Sequence, residues 1–297
     1  MKLSTEVKLI LADVDETIAD VYTDATPEMI SELNKILSKG TALFLVSGGG
    51  LQSIRERVTD KLDKDLRHRV LVAHCTGAEV WGFELNGELK KDPFYGVYDE
   101  KMSVSQKKRW REIIDSIILK YKLVTYPTMP TKKFIELTNG NRNSIMLADR
   151  GPQITLEFPN SEDMRPPILE DLKTIYIQEN FPVHPKLAGM FALDNPLDGV
   201  DKTFAIDTIL NNKEIIGNLN LPLDIRNKSD LVEIWGDKFA EVGGSDFMMS
   251  KAVSPKVKSV DFREESEEKF ADGYNIMVWR GKKHLHEGLL EYLQGSI

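Results

Sequence analysis

Two aspartates, one residue apart, close an apolar run: Leu9-Ile10-Leu11-Ala12-Asp13-Val14-Asp15-Glu16-Thr17. Within a strand such residues share a face. Where the backbone leaves the strand, Asp13 can face a substrate while Asp15 swings in beside it. Carboxylates at the end of a buried strand suit a hard cation, since magnesium takes oxygen ligands and usually only one or two protein carboxylates. An aspartate there can also carry a transferred phosphoryl group as an acyl phosphate.

Three further stretches hold groups suited to the same chemistry. Ser47-Gly48-Gly49-Gly50 combines a hydroxyl with bare backbone amides leading into a helix, where unpaired N–H groups and the helix dipole favour a phosphate. Lys202 follows Asp198-Gly199-Val200-Asp201 near a helix start, where its ammonium would neutralise a phosphoryl oxygen. Gly236-Asp237 and Gly243-Gly244-Ser245-Asp246 add two carboxylates at a strand end and the next helix start. A carboxylate attacks a phosphate dianion productively only when a cation and a lysine lower the repulsion.

The elements that must position these groups alternate. Leu9 to Ala12, Ala42 to Val46 and Val70 to Ala73 read as buried strands. A helix begins at the Thr26-Pro27 cap, carries Met29, Ile30, Leu33, Ile36 and Leu37, and stops at Gly40. A second helix is expected over Leu51–Leu66, with Ile54, Val58 and Leu62 on one face. Alternation resumes with helix Lys202–Leu210, strand Leu231–Trp235, helix Asp246–Val253, strands Ser259–Phe262 and Ile276–Trp279, and a final helix Lys283–Leu293. Such alternation implies parallel βαβ units in an α/β fold with helices on both faces of the sheet. Ligands of open α/β sheets bind outside the carboxyl ends of the strands, so the four polar stretches would converge there.

Between these halves the pattern differs. It reads as a hairpin at Trp81–Leu89 around Asn86-Gly87, a helix Ser103–Tyr121, strands Phe134–Thr138, Ser144–Leu147 and Ile154–Phe158, a helix Ile168–Gln178 and a strand Leu187–Leu193. Without strict alternation this suggests an antiparallel α+β module. The expected organisation is therefore a discontinuous core, 1–80 and 195–297, carrying an inserted domain at 81–194. Connections near 78–86 and 193–199 are expected to act as hinges. The polar stretch Asn211–Ser229 is expected on the surface, and the charge run Glu264–Lys269 is expected to be solvated.

The four polar stretches, in this order, resemble the haloacid dehalogenase superfamily of phosphohydrolases and phosphomutases. The insert lies between the second and third motifs, as in the C2-type cap of the IIB branch. Val46-Ser47-Gly48-Gly49, Cys75-Thr76-Gly77, Asp149-Arg150-Gly151-Pro152-Gln153-Ile154-Thr155, Val200-Asp201-Lys202 and Gly236-Asp237 also look like the phosphomannomutase-like members. The resemblance implies a Rossmann-like core with a mostly parallel sheet, a magnesium cofactor and a small phosphorylated metabolite as substrate. It makes Asp13 the nucleophile and a magnesium ligand. Asp15 becomes the general acid and then base, with its carbonyl on the metal. Ser47 and the Gly48 amide would hold the phosphoryl group, Lys202 would offset charge, Asp237 would ligate magnesium, and Asp246 would support or join that shell.

Two positions depart from the family pattern. Glu16 stands where glycine is usual, and Ser245 where asparagine is common. Neither removes a charge-bearing catalytic atom.

Composition narrows the partners. The 297 residues carry 39 Lys+Arg against 47 Asp+Glu, a net charge of −8, with no basic stripe, which argues against a nucleic-acid partner. No apolar run reaches the length of a membrane span, and the single cysteine, Cys75, fits a reducing, cytoplasmic setting. The Gly48–Gly50 triplet lacks the spacing and downstream acid of a dinucleotide fingerprint. His184, His284 and His286 read as surface residues, and His74 and Cys75 as site wall.

In the insert, Arg142 and Arg150 are candidates to grip a second anionic group, or else form surface ion pairs. Arg165, directly before Pro166-Pro167, reads as a surface helix start. Three readings remain: a phosphatase of a small phosphorylated metabolite such as a sugar phosphate, a hexose phosphate mutase using Arg150, and a non-catalytic phospho-ligand binder prompted by Glu16.

Overall fold

In the computed structural model, which describes residues 2–264 and 269–295, the chain divides into two compact units, 1–95 with 201–297, and 96–200. The first is built on an eight-stranded sheet in the order Ile276–Val278, Lys258–Asp261, Val232–Gly236, Leu9–Ala12, Ala42–Val46, Val70–His74, Glu79–Gly82, Tyr95–Gly96. Pairing is parallel from Ile276–Val278 through Val70–His74, and Glu79–Gly82 runs antiparallel.

Leu9–Ala12 lies centrally because its side chains serve two cores. Ile10 and Ala12 join Leu33, Leu37, Leu289 and Tyr292 on one face. Leu9 and Leu11 join Ile206, Ile209, Ile216 and Met249 on the other. A strand buried on both faces reads as an unbroken apolar run. From this strand the chain steps one way through 42–46 and 70–74. After the insert it steps the other way through 232–236 and 258–261. Strand order thus reverses beside residue 12, the switch point at which α/β sheets bind ligands.

The cap signals act as expected at the first helix, Pro27–Ser38: the Met29 amide donates to Thr26 Oγ1 at 3.2 Å. Four local expectations need correction. The helix expected to Leu66 ends at Arg57 and continues as two 3-10 turns, Thr59–Lys61 and Lys64–Arg69. Residues 131–138 form a helix, not a strand. Phe134 and Thr138 are its buried side chains, one helical turn apart, and Asn139 closes it in the left-handed region. Residues 187–193 are not one strand but parts of two, Lys186–Ala188 and Ala192–Pro196, paired antiparallel across a turn with Gly189 at φ +49°. The stretch 211–229 contains a helix, Lys213–Asn218, and buries Ile215, Ile216, Leu219, Leu221 and Ile225, so it is part of the core rather than a surface connection.

The second unit has a five-stranded sheet ordered Val124–Tyr126, Ser144–Asp149, Gln153–Glu157, Ala192–Pro196, Lys186–Ala188. It is antiparallel apart from its first pair. Its two long helices, Val104–Lys120 and Arg165–Gln178, are tied by Trp110 Nε1 donating to Tyr176 Oη at 3.0 Å.

The units meet the chain at 95/96 and 200/201, not at 80/81 and 194/195. Glu79–Gly82 pairs with Val70–His74 in the first sheet, and Ala192–Pro196 is an interior strand of the second. Both segments expected to be hinges therefore carry sheet hydrogen bonds. The charge run at 264–269 includes residues 265–268, which lie outside the described residues. Among the described residues, no helix is long and apolar enough to cross a membrane.

Candidate active site

Asp13 follows directly on the central strand, and its amide donates to the Trp235 carbonyl at 3.0 Å, fixing it at the switch point. Lys202, the first residue of helix Lys202–Leu210, comes from the far half of the chain. Asp201 caps that helix by accepting from the Phe204 amide at 2.7 Å. The cap aims the helix so that Lys202 Nζ donates to Asp13 Oδ1 and Asp246 Oδ1, both at 2.7 Å. All three side chains are buried.

Asp246 does not cap its own helix, Phe247–Lys251. Its second oxygen accepts from the Asp237 and Lys238 amides, each at 2.9 Å. Gly236 makes this approach possible, because a Cβ there would lie 2.5 Å from Asp246 Oδ2. Asp237 pairs with Lys238 at 3.2 Å through Oδ2, while its Oδ1 is buried without a hydrogen-bond partner.

Burial governs the electrostatics. It pushes the Asp13 carboxyl up to about 6 despite the opposing charge of Lys202, with Asp246 and Asp15 adding to the rise. It pushes Asp237 further, to about 8, with help from Asp246. Asp246 is also buried, but Lys202, Lys238 and its hydrogen bonds outweigh burial and hold it below the usual carboxylate range. Burial disfavours the charge on Lys202 and on Lys238. The surrounding aspartates, Asp13 and Asp246 for Lys202 and Asp237 first for Lys238, more than offset that and raise both.

This donor set fits a magnesium ion. Oxygens of Asp13, Asp237 and Asp246 lie within 4.8 Å of one another, all are hard carboxylate ligands, and Asp237 Oδ1 is a buried acceptor still lacking a partner. Asp246 has committed both oxygens, so Asp13 and Asp237 are the residues that would hold the ion.

Magnesium requires both to be ionised, so its binding should displace protons. Affinity should rise with pH between about 6 and 8, by roughly tenfold per unit while one proton is displaced. Titration calorimetry in buffers of different ionisation enthalpy reads this directly, and pH-independent affinity across that range would contradict it. The sign for metal-free stability is the reverse. A carboxyl raised by folding stabilises at low pH, and that contribution is lost as pH climbs from about 4 through about 8.

Ser47 is buried at the end of the strand Ala42–Val46, and its Oγ accepts from the Gly49 amide at 2.9 Å. The Thr76 amide donates to the Ser47 carbonyl and the Cys75 amide to the Gly49 carbonyl, both at 2.9 Å. The Ser47–Gly50 turn is thereby bound to the turn after Val70–His74. Cys75 and Thr76 there have φ of +51° and +61°. His74 is buried and engaged by Glu79 at 2.9 Å. His184 is exposed, whereas His284 and His286 are half-buried rather than on the surface.

Asp15 is half-buried, and it has a partner that sequence reasoning missed. Arg57 Nη1 lies 2.8 Å from Asp15 Oδ1. The guanidinium approaches off the hydrogen-bond direction, leaving that oxygen buried without a directed donor, so the contact is an ion pair. The signal was present: Arg57 stands one turn after the fully buried Ile54, on the helix stripe that should be apolar. Lys238, directly after Asp237, was the other residue missed.

Glu16 has φ +64°, the region glycine enters freely, which is the physical reason glycine suits this position. Burial first, then Asp20, raises its carboxyl, with Lys238 opposing. A left-handed non-glycine residue costs about 1–2 kcal/mol, partly offset by the chain entropy glycine would add. Glu16→Gly should therefore stabilise by roughly 0.5–1 kcal/mol, read as a higher Tm, and a lower Tm would count against strain at this turn.

In the second unit Arg150 donates to Thr155 Oγ1 at 2.7 Å and faces Glu157 at 4.0 Å. Arg142 is exposed and pairs with Asp163. Arg165 opens its helix before Pro166 and bonds the carbonyls of Gly189 and Ala192 at 3.2 Å.

No protein-family model and no curated protein sequence matches this chain. Solved structures do. A haloacid dehalogenase-like hydrolase from Bacteroides thetaiotaomicron aligns over 97% of this chain and 99% of that one, with TM-score 0.62 at 16% identity. The C-terminal domain of C. albicans trehalose-6-phosphate phosphatase aligns over 97% and 91%, with TM-score 0.60 at 14% identity. Plasmodium falciparum IMP-nucleotidase aligns over 97% and 68%, with TM-score 0.53 at 12% identity. The fold is that of the haloacid dehalogenase-type phosphatases, with its mostly parallel α/β sheet.

Proposed function

We propose that this protein is a magnesium-dependent phosphatase that hydrolyses a small phosphorylated metabolite, a sugar phosphate being the favoured class, through an aspartyl-phosphate intermediate. The observation that carries the reading is the buried Asp13–Lys202–Asp246 chain, with both links at 2.7 Å, beside the unpartnered Asp237 Oδ1. Charges of both signs packed this tightly cost desolvation, and a purely structural core is served as well by apolar side chains.

A bound magnesium, held by Asp13 and Asp237, would supply positive charge against the phosphoryl oxygens. Lys202 holds Asp13 by one oxygen and adds its own charge to the same place. The Asp13 carboxylate attacks phosphorus as the bond to the leaving oxygen breaks, and that oxygen takes a proton from Asp15. Asp15 then accepts a proton from water as the water oxygen attacks phosphorus, which releases phosphate and returns Asp13. Ser47 and the Gly48 amide hold the phosphoryl group during both steps, and Asp246 orients Lys202 and the Asp237–Lys238 backbone.

Solved structures sharing this fold include a trehalose-6-phosphate phosphatase and an IMP-nucleotidase, which supports a phosphorylated metabolite as substrate class. A mutase needs a strong second phosphate grip. Engagement of Arg150 with Thr155 and Glu157 favours the phosphatase.

The test is phosphate release from p-nitrophenyl phosphate and a panel of hexose phosphates and nucleoside monophosphates, with magnesium and with chelator. Hydrolysis lost on chelation is the expected result. Binding of a phosphate ester without turnover at any magnesium level would point to a non-catalytic binder. Hexose 1-phosphate converted to 6-phosphate faster than phosphate appears would point to a mutase.

A further inference from the structure

Arg57 has no role in the chemistry above, yet it is buried beside Asp15. It ends the helix Leu51–Arg57, and three contacts fix its guanidinium. Nε donates to the Thr23 carbonyl at 2.6 Å, Nη2 to the Asp20 carbonyl at 2.8 Å, and Nη1 lies 2.8 Å from Asp15 Oδ1. Its own carbonyl accepts from the Ala25 amide at 3.0 Å. The carbonyl contacts tie Arg57 to the 20–25 loop without any help from Asp15. The contact with Asp15 is additional, and it draws a carboxylate oxygen out of water without giving it a directed hydrogen bond.

The two oxygens of Asp15 consequently differ. Oδ1 is turned to Arg57. Oδ2 is turned to the anion loop, since a Cβ built on Gly49 would lie 3.9 Å from Oδ2 and 3.2 Å from Ser47 Oγ. Resting on the phosphatase reading, we propose that Arg57 is a positioning residue for the proton transfers, holding Asp15 by Oδ1 so that Oδ2 is presented to the leaving oxygen and to water. The guanidinium is immobilised by backbone carbonyls, so the carboxylate is held against a fixed point. Orientation of this kind contributes through effective molarity, without any new contact to substrate.

Proton donation matters most for basic leaving groups, which cannot depart as anions, and little for acidic phenols. General acid catalysis contributes about 10²–10⁴. Arg57→Met should therefore lower kcat/KM for an alkyl phosphate by about 100-fold while changing that for 2,4-dinitrophenyl phosphate less than about 5-fold. Arg57→Lys, which keeps the charge but not the fork, should fall between. In an Asp15→Asn background, Arg57→Met should leave the ratio of the two substrates unchanged, because the residue it positions is already disabled.

Equal losses on both esters, together with a lower Tm, would reduce Arg57 to a loop clamp and overturn the inference while leaving the phosphatase reading intact. Unchanged kinetics in Arg57→Met would overturn it in the same way. If the methionine variant does not fold, the Arg57→Lys comparison across the two esters decides alone. Wild-type protein that hydrolyses neither ester would remove the phosphatase reading and this inference with it.

Discussion

Asp13→Asn is expected to abolish turnover, lowering kcat by at least about 10⁴, the scale on which removal of a nucleophile acts. The substitution preserves volume and deletes only charge and nucleophilicity. The fold should survive for a specific reason: burial already pushes the Asp13 carboxyl up to about 6, so a neutral side chain is tolerated there. Lys202 also keeps Asp246 as a partner at 2.7 Å. The variant's Tm should equal or exceed that of the metal-free wild type above pH 7, where a native group with a raised carboxyl pKa has forfeited its stabilisation. Steady-state assays and thermal melts on the same sample check both parts. Near-native turnover in Asp13→Asn would remove the covalent intermediate from the mechanism.

The second large effect falls on stability as well as rate. In Lys202→Met, Asp13 and Asp246 face each other inside the core without their shared counter-charge. Removing one member of a buried charge cluster costs about 3–5 kcal/mol, and Lys202 is only 4% exposed. A fall of about 10 °C in the melting of the core unit follows, along with loss of turnover. The pair Lys202→Met and Asp246→Asn separates the two effects. With Asp246 neutral the stability cost should shrink, because one of the two carboxylates left without the lysine no longer carries a charge to repel the other, while activity stays absent. A double variant as unstable as Lys202→Met alone would mean that packing of the lysine stem, not its charge, supports the core.

Residues close in the chain were legible because their meaning is local. The apolar run before Asp13, the Thr26-Pro27 cap and the alternation around Ala42–Val46 each report what a few neighbouring side chains do, and the parallel core followed from them. The carboxylates, Ser47 and Lys202 were legible as types of chemistry placed at strand ends and helix starts. Failures arose where short polar segments lacked a decisive period. Residues 131–138 carry only Phe134 and Thr138 inward, so two buried side chains four apart had to outweigh the apparent strand run. The 211–229 stretch looked polar, yet its few apolar residues cover a helix face of the core.

The sequence alone thus determined that four polar stretches stand at the ends of buried elements, because burial period and turn residues are properties of adjacent positions. Only the tertiary structure decided which atoms meet. Asp246 turns its carboxylate away from its own helix because Gly236 lets it reach the Asp237 and Lys238 amides. Arg57 reached Asp15 because its helix stops early and the 20–25 loop folds back over it. Such choices depend on through-space electrostatics and close packing between residues that lie from 8 to 189 positions apart in the chain, and no local pattern encodes those distances.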